Sequence, residues 1–184
     1  MNKNPSIEEK TLGICALATW IFIAVFYGTK GVVKVLREKN MQKIIDNYGC
    51  IIEKYASYYD VDPLLVTAVI LRESSGNPDS TNPYSSAKGL MQLLDGTARE
   101  MGVTNSFDPE QNIMGGTKYL SLQVHKFGDI QLGVAAYKAG SGTIEKYNNT
   151  IPQNDIGKTQ DYVNKVMNSY SAVTSDVWQA LVCQ

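Results

Sequence analysis

Glu73 stands in the segment Leu71-Arg72-Glu73-Ser74-Ser75-Gly76, directly after the run Leu64-Leu65-Val66-Thr67-Ala68-Val69-Ile70. That run is apolar around most of a helix circumference, so the helix belongs inside a core rather than on a surface. A carboxyl group in its last turn starts from the core side and sits at the negative end of the helix dipole. Both effects disfavour the carboxylate and raise its pKa. A carboxyl that keeps its proton near neutral pH can protonate a leaving oxygen, which is what cleavage of a glycosidic bond requires. Ser74 is placed to orient the carboxyl or to bind a sugar. Taken alone, Glu73 would better suit an exposed helix end paired with Arg72.

Other segments tip that balance. Lys88-Gly89-Leu90-Met91-Gln92 and Ala135-Ala136-Tyr137-Lys138-Ala139-Gly140 carry aromatic, thioether, amide and hydroxyl groups at positions suited to a cleft. Aromatic and thioether groups exclude water; hydroxyl and amide groups orient a ligand. Met91 and Tyr137, each alone, would read as ordinary core, but together with the other segments they read as cleft lining.

Several chemistries are excluded. His125 is the sole histidine, which argues against Ser-His-Asp or Cys-His catalysis and against a zinc site. It reads as a partly exposed helix residue. Cys15, Cys50 and Cys183 are odd in number and lack short spacing, so they form neither a disulfide framework nor a metal site. Cys50 and Cys183 are expected as free thiols rather than as a bridge. The polar loop Asn77–Ser86 lacks the glycine and glutamate of a calcium loop. No cofactor is implied. The formal net charge is -1, which gives no electrostatic basis for nucleic-acid binding.

The elements that must position these groups are helical. Apolar residues three and four apart predict an amphipathic helix over Met41–Tyr59. Asp62-Pro63 is a helix start, with Asp as N-cap and Pro at the first position, and Gly76 is the expected stop. Helical patterns follow at Leu90–Leu94, Thr97–Met101, Pro109 to about Phe127, Ile130–Ala139, Thr143–Asn148, Thr159–Ser169 and Val177–Val182. Sustained period-2 alternation is absent, and the soluble part reads as one mainly helical domain without internal repeats.

Near the start, Leu12 to Tyr27 is apolar except for Thr19 and extends through Gly28–Val33 to about the length of a membrane span. No small-x-small cleavage site follows it, which favours a retained anchor over a cleaved signal peptide. Lys30, Lys34, Arg37 and Lys39 follow this run, and the positive-inside tendency would hold that side in the cytoplasm. Lys3, Lys10 and the terminal amine would reverse the bias if the glutamates count little. Delivery by a virion, or release at lysis, would remove the conflict.

Glu73-Ser74, Gly89-Leu90-Met91-Gln92, Ala136-Tyr137-x-Ala139-Gly140 and Tyr162-Val163, in this order and spacing, resemble the soluble lytic transglycosylase family with its goose-lysozyme-like catalytic domain. The resemblance runs from about Tyr58 to Tyr170. It implies a mainly α, lysozyme-like domain over 58–170. Around it stand an N-terminal tail over 1–10, a membrane-spanning helix or signal-anchor over 11–33, a helical connector over 34–57 and a helical tail over 171–184. It implies Glu73 as the single catalytic acid and base, with Ser74, Gly89, Met91, Gln92, Tyr137 and Tyr162 binding substrate. The implied partner is the glycan strand of peptidoglycan, cut without water to leave 1,6-anhydromuramyl ends. The expected location is a membrane-anchored domain facing the cell wall, or a virion, serving a phage or a secretion or conjugation apparatus. Lys138 departs from the family, which usually has asparagine there. If Lys138 points into the cleft, its charge lowers the pKa of Glu73; if it points outward, nothing is lost. Two rivals remain. A lysozyme-type hydrolase would need a second carboxylate, for which Asp79, Asp95 and Asp108 are candidates in no persuasive motif. A catalytically weak wall-binding assembly protein would keep the cleft alone.

Overall fold

The computed structural model describes residues 36, 37, 39–152 and 158–172. The chain separates into two units, Met1–Arg37 and Glu38–Gln184, and the site residues all belong to the second. Its first helix, α1, runs through residues 39–58. It buries Met41, Ile44, Ile45, Ile52 and Ala56 on one face, as the three-and-four spacing requires. The expected membrane span over 11–33 lies outside the described residues. No helix among the described residues is long and apolar enough to cross a membrane.

Helix α2, Pro63–Ser74, is the centre of the domain. Asp62 caps it, its Oδ1 accepting from the Leu64 N–H at 2.8 Å, and Pro63 needs no partner for a missing N–H. Leu64 through Ile70 are all buried, without a polar face. The helix stops one residue earlier than Gly76 suggested. Ser75 takes the left-handed conformation at φ 54° and returns its N–H to Leu71 O at 3.2 Å.

The segment Leu90–Leu94, expected as helix, is a tight turn instead. Lys88 and Leu93 exchange both backbone hydrogen bonds at 3.1 Å, and Lys88 also bridges to Thr81. Gly89 at φ +77° before the segment and Gln92 at φ 49° within it are the reason. A left-handed residue ends helix propagation, and the apolar side chains Leu90, Met91 and Leu93 are buried all the same. Tertiary burial satisfies the hydrophobic pattern without the helix it resembles.

The remaining helices are α3 (Asp95–Met101), α4 (Pro109–Phe127), α5 (Ile130–Ala139), α6 (Ser141–Lys146) and α7 (Lys158–Tyr170). Val177–Val182 lies outside the described residues. Helix α4 packs on α5 and α3, α5 on α6, and α7 on both α2 and α5. A Cβ on Gly133 would collide with the Val124 backbone, so this glycine lets α5 lie close against α4. The contact of α7 with both α2 and α5 matters most, because those three helices carry Tyr162, Glu73 and Lys138.

Cys50 corrects a sequence expectation. It is disulfide-bonded rather than a free thiol, with its partner outside the described residues. Three widely spaced cysteines carry no information on pairing, which only the fold decides.

Candidate active site

Tyr162 on α7 donates its hydroxyl to Oε1 of Glu73 on α2 at 2.6 Å. Tyr162 is almost wholly buried, so the hydrogen bond is sheltered from water. Among the described residues, Oε2 of Glu73 makes no hydrogen bond and the carboxyl group no salt bridge. Arg72 does not pair with it; its guanidinium lies 5.8 Å from the centre of the Tyr162 ring. The exposed helix-end reading of Glu73 is thereby displaced.

Burial raises the pKa of Glu73 from its ordinary value. Three effects oppose it: the Tyr162 hydrogen bond, then the charge of Lys138, then that of Arg72. Burial wins. The side chain is thus biased toward the acid yet surrounded by groups that stabilise the carboxylate, the combination a group needs if it is to give up a proton and later recover one. Burial also pushes the Tyr162 phenol well above its usual pKa, with the Glu73 charge adding to the effect, so Tyr162 stays a donor.

Lys138 faces the site. Its Nζ stands 5.3 Å over the Tyr162 ring, and its charge reaches Glu73 from there. The same lysine lines a groove of about 200 Å³ with Gln92, Thr97, Tyr119, Tyr137 and Gly140. Tyr137 is fixed in the groove wall by its hydroxyl, which donates to Met91 O at 2.6 Å, and by the Tyr119 ring 5.2 Å away. A larger hollow of about 510 Å³, between Lys88, Asp95, Arg99 and Phe107, contains Asp95 but neither Glu73 nor any of the expected substrate-binding residues.

The other candidates take more internal positions. Met91 is fully buried; its sulfur sits 4.0 Å from Thr117 Oγ1, and its side chain fills the space that a Cβ on Gly116 would need. What Met91 presents to its surroundings is a backbone carbonyl, not the thioether expected of cleft lining. Gly89 permits a close approach, but the partners are Ser106 O and the Asn112 amide, both of which a Cβ would strike. Gln92, at φ 49°, folds its amide nitrogen back onto Ser80 O and Gly89 O, both at 3.0 Å, which leaves its Oε1 for a ligand. Ser74 donates to Ile70 O at 3.3 Å and accepts from the Gly76 N–H at 3.2 Å, so it closes the helix end beneath Glu73.

Sequence reasoning missed Asn112. This wholly buried side chain accepts from the Met91 N–H at 2.7 Å and donates to Ser106 O at 2.8 Å and Lys88 O at 3.1 Å. It pins the Gly89–Gln92 turn to α4. A buried asparagine inside an amphipathic helix was the only available signal. Among the described residues, no three His, Cys, Asp or Glu side chains gather as metal ligands.

Residues 50–160 match the family described as Transglycosylase SLT domain. A transglycosylase of Enterobacteria phage PRD1 is 41% identical over 112 residues, covering 61% of this chain and 38% of that protein. A membrane-bound lytic murein transglycosylase F of Desulfosudis oleivorans is 41% identical over 101 residues, covering 51% of this chain and 22% of that protein. The crystal structure of the 70 kDa soluble lytic transglycosylase of Escherichia coli superposes with TM-score 0.62 at 28% identity, covering 68% of this chain and 24% of that one. The chain therefore spans well under half the length of each of these proteins. The matched stretch covers more than half of the chain and holds Glu73 and Tyr137, with Tyr162 just past its end, and by that match the chain belongs to the transglycosylase SLT domain family, with its mainly helical, lysozyme-like fold.

Proposed function

We propose that this protein is a peptidoglycan lytic transglycosylase that cuts the bond from N-acetylmuramic acid to N-acetylglucosamine without water. The observation that carries the reading is the Glu73 carboxyl, whose pKa burial raises and to whose Oε1 Tyr162 donates at 2.6 Å. In the first step Glu73 passes its proton to the glycosidic oxygen, the bond to C1 of the muramyl ring breaks, and positive charge develops at C1. In the second, the Glu73 carboxylate takes the proton of the muramyl C6 hydroxyl, whose oxygen bonds to C1 and closes the 1,6-anhydro ring. Glu73 ends protonated, as it began. Intramolecular attack gives that hydroxyl a high effective concentration.

The absence of water removes the need for a second carboxylate. Asp95 is paired with Lys88 at 2.7 Å and Asp108 caps α4 through the Gln111 N–H at 2.8 Å. No carboxylate among the described residues contributes to the charge around Glu73. This favours the transglycosylase over the hydrolase. The net upward shift of Glu73 despite Lys138 favours an active enzyme over a catalytically weak wall-binding protein.

In this reading Tyr137 and the free oxygen of Gln92 contact the glycan in the groove. Tyr162 supports the carboxyl, and Ser74, Gly89 and Met91 shape the site from behind. The catalytic domain spans 58–170, with a tail over 1–10, a membrane anchor over 11–33, a connector over 34–57 and a helical tail over 171–184. The membrane-bound and phage relatives support a setting at the cell wall, facing peptidoglycan from an anchor or carried by a virion. Local wall opening for a phage, or for a secretion or conjugation apparatus, suits that setting.

Mass analysis of muropeptides released from sacculi tests the reading. Anhydromuramyl ends from the wild type and none from Glu73→Gln are expected. Reducing ends would assign a hydrolase, and sacculus binding without product a binding module.

A further inference from the structure

We infer that Lys138 anchors a carboxylate carried by the substrate strand, and so selects among glycan strands. This rests on the function proposed above and names what one wall of the groove reads. The ammonium is the only charged group among the residues lining the groove, which otherwise offers amide, hydroxyl, aromatic and aliphatic surfaces. It is exposed, and one side of it rests over the Tyr162 ring at 5.3 Å. An ammonium has three donors and no acceptor, so the aromatic face leaves hydrogen-bonding capacity directed elsewhere.

Among the described residues Lys138 forms no ion pair. Lys54, Lys126 and Lys165 reach carboxylates at 2.6–2.8 Å; Lys43, Lys118, Lys146 and Lys158 form no ion pair among the described residues either, but of the unpaired helix lysines Lys138 is the one that lines the groove. The carboxyl group in electrostatic reach of Lys138 is Glu73, and Tyr162 already occupies its Oε1. An ion pair there would also hold Glu73 ionised and defeat its work as an acid. A ligand in the groove can supply the counter-charge that the protein does not. The glycan supplies one chemistry of that kind. Muramic acid bears a lactyl ether that ends in a free carboxylate once the stem peptide is removed; when the stem is present, that carboxyl is an amide and the peptide's own carboxylates replace it. Both sources offer a carboxylate close to the bond being cut.

The full chain is assayed on two pairs of strands. One pair is stripped of stems, with lactyl carboxyls free or converted to methylamides. The other keeps its stems, with stem carboxyls free or converted to methylamides. Neutralising the correct carboxylate should lower wild-type kcat/KM about tenfold, mostly through KM, while Lys138→Asn should show less than about a twofold contrast and Lys138→Arg should retain it. Loss of contrast in the stripped pair assigns the lactyl group; loss in the other pair assigns the stem. A wild type indifferent to both neutralisations, or a contrast undiminished in Lys138→Asn, overturns the inference. Binding of the same four strands to Glu73→Gln, with and without Lys138→Asn, reads the charge preference even if no anhydro product is ever formed. It thereby separates failure of this inference from failure of the proposed reaction.

Discussion

The Tyr162 hydroxyl and the Glu73 carboxyl, 89 positions apart in sequence, meet at 2.6 Å in a part-buried contact between α7 and α2. The donor favours the ionised acid and burial favours the neutral one, so the pair sets the pH range over which Glu73 can act. Tyr162→Phe removes the donor and leaves the burial. The pKa of Glu73 should then rise, and the alkaline limb of the pH–rate profile should move to higher pH, since activity is lost when the acid ionises. Loss of a hydrogen bond to a charged group is worth about 1.5–3 kcal/mol, so kcat should fall roughly ten- to a hundredfold. Release of anhydromuropeptides across pH measures both effects; an unmoved alkaline limb would contradict them.

Glu73 should also weaken the fold at higher pH. Its folded pKa lies above its unfolded one, so the native state binds the proton more tightly. The resulting stabilisation is complete below the unfolded value, roughly pH 4 to 5, and is lost as pH rises through the folded pKa. Glu73→Gln cannot ionise. Its Tm relative to wild type should therefore climb with pH across that window, and a constant difference would show that the carboxyl is not held in the acid form.

Asn112 should prove as important to the turn as any residue facing the groove. Asn112→Ala leaves the Met91 N–H and the Ser106 and Lys88 carbonyls without their partner. A loss of about 2–4 kcal/mol in urea unfolding is expected, from unpaired buried groups. Asn112→Asp keeps the acceptor for Met91 but sets an oxygen against two carbonyls, so it should be no better. If the asparagine only fills space, Asn112→Leu would match the wild type.

His125 links α4 to the turn before α2. Its Nδ1 contacts Ser121 O at 2.9 Å and its Nε2 lies 3.3 Å from Asp60 Oδ2. The backbone contact and then the Asp60 hydrogen bond raise its pKa. The stabilisation from the charged ring is complete below the unfolded value, about pH 6.5, and fades as pH rises through the folded one. Titration of the ring by NMR should show an elevated pKa that falls toward the ordinary value in Asp60→Asn. An equal pKa in both would remove Asp60 as a cause.

Much of this was legible in the residues themselves. Asp62-Pro63 and Asp108-Pro109 announced two helix starts because capping and proline geometry are local. The run from Leu64 to Ile70, apolar but for Thr67, announced a buried helix, and with it a carboxyl group at Glu73 that would resist ionisation. The segments around Met91, Tyr137 and Tyr162 announced their company by order and spacing. What chain-local chemistry could not express was direction. Leu90–Leu94 has a helical pattern, yet Gly89 at positive φ and the buried Asn112 make it a turn whose thioether points into the core. Whether Lys138 faced Glu73 depended on the packing of α5 and α2 against α7. The pairing of Cys50 depended on a distant cysteine. Sequence determined which groups could exchange a proton, because propensity, capping and burial patterns act over a few residues. Tertiary structure decided which of them meet, because that depends on packing between helices distant in the chain.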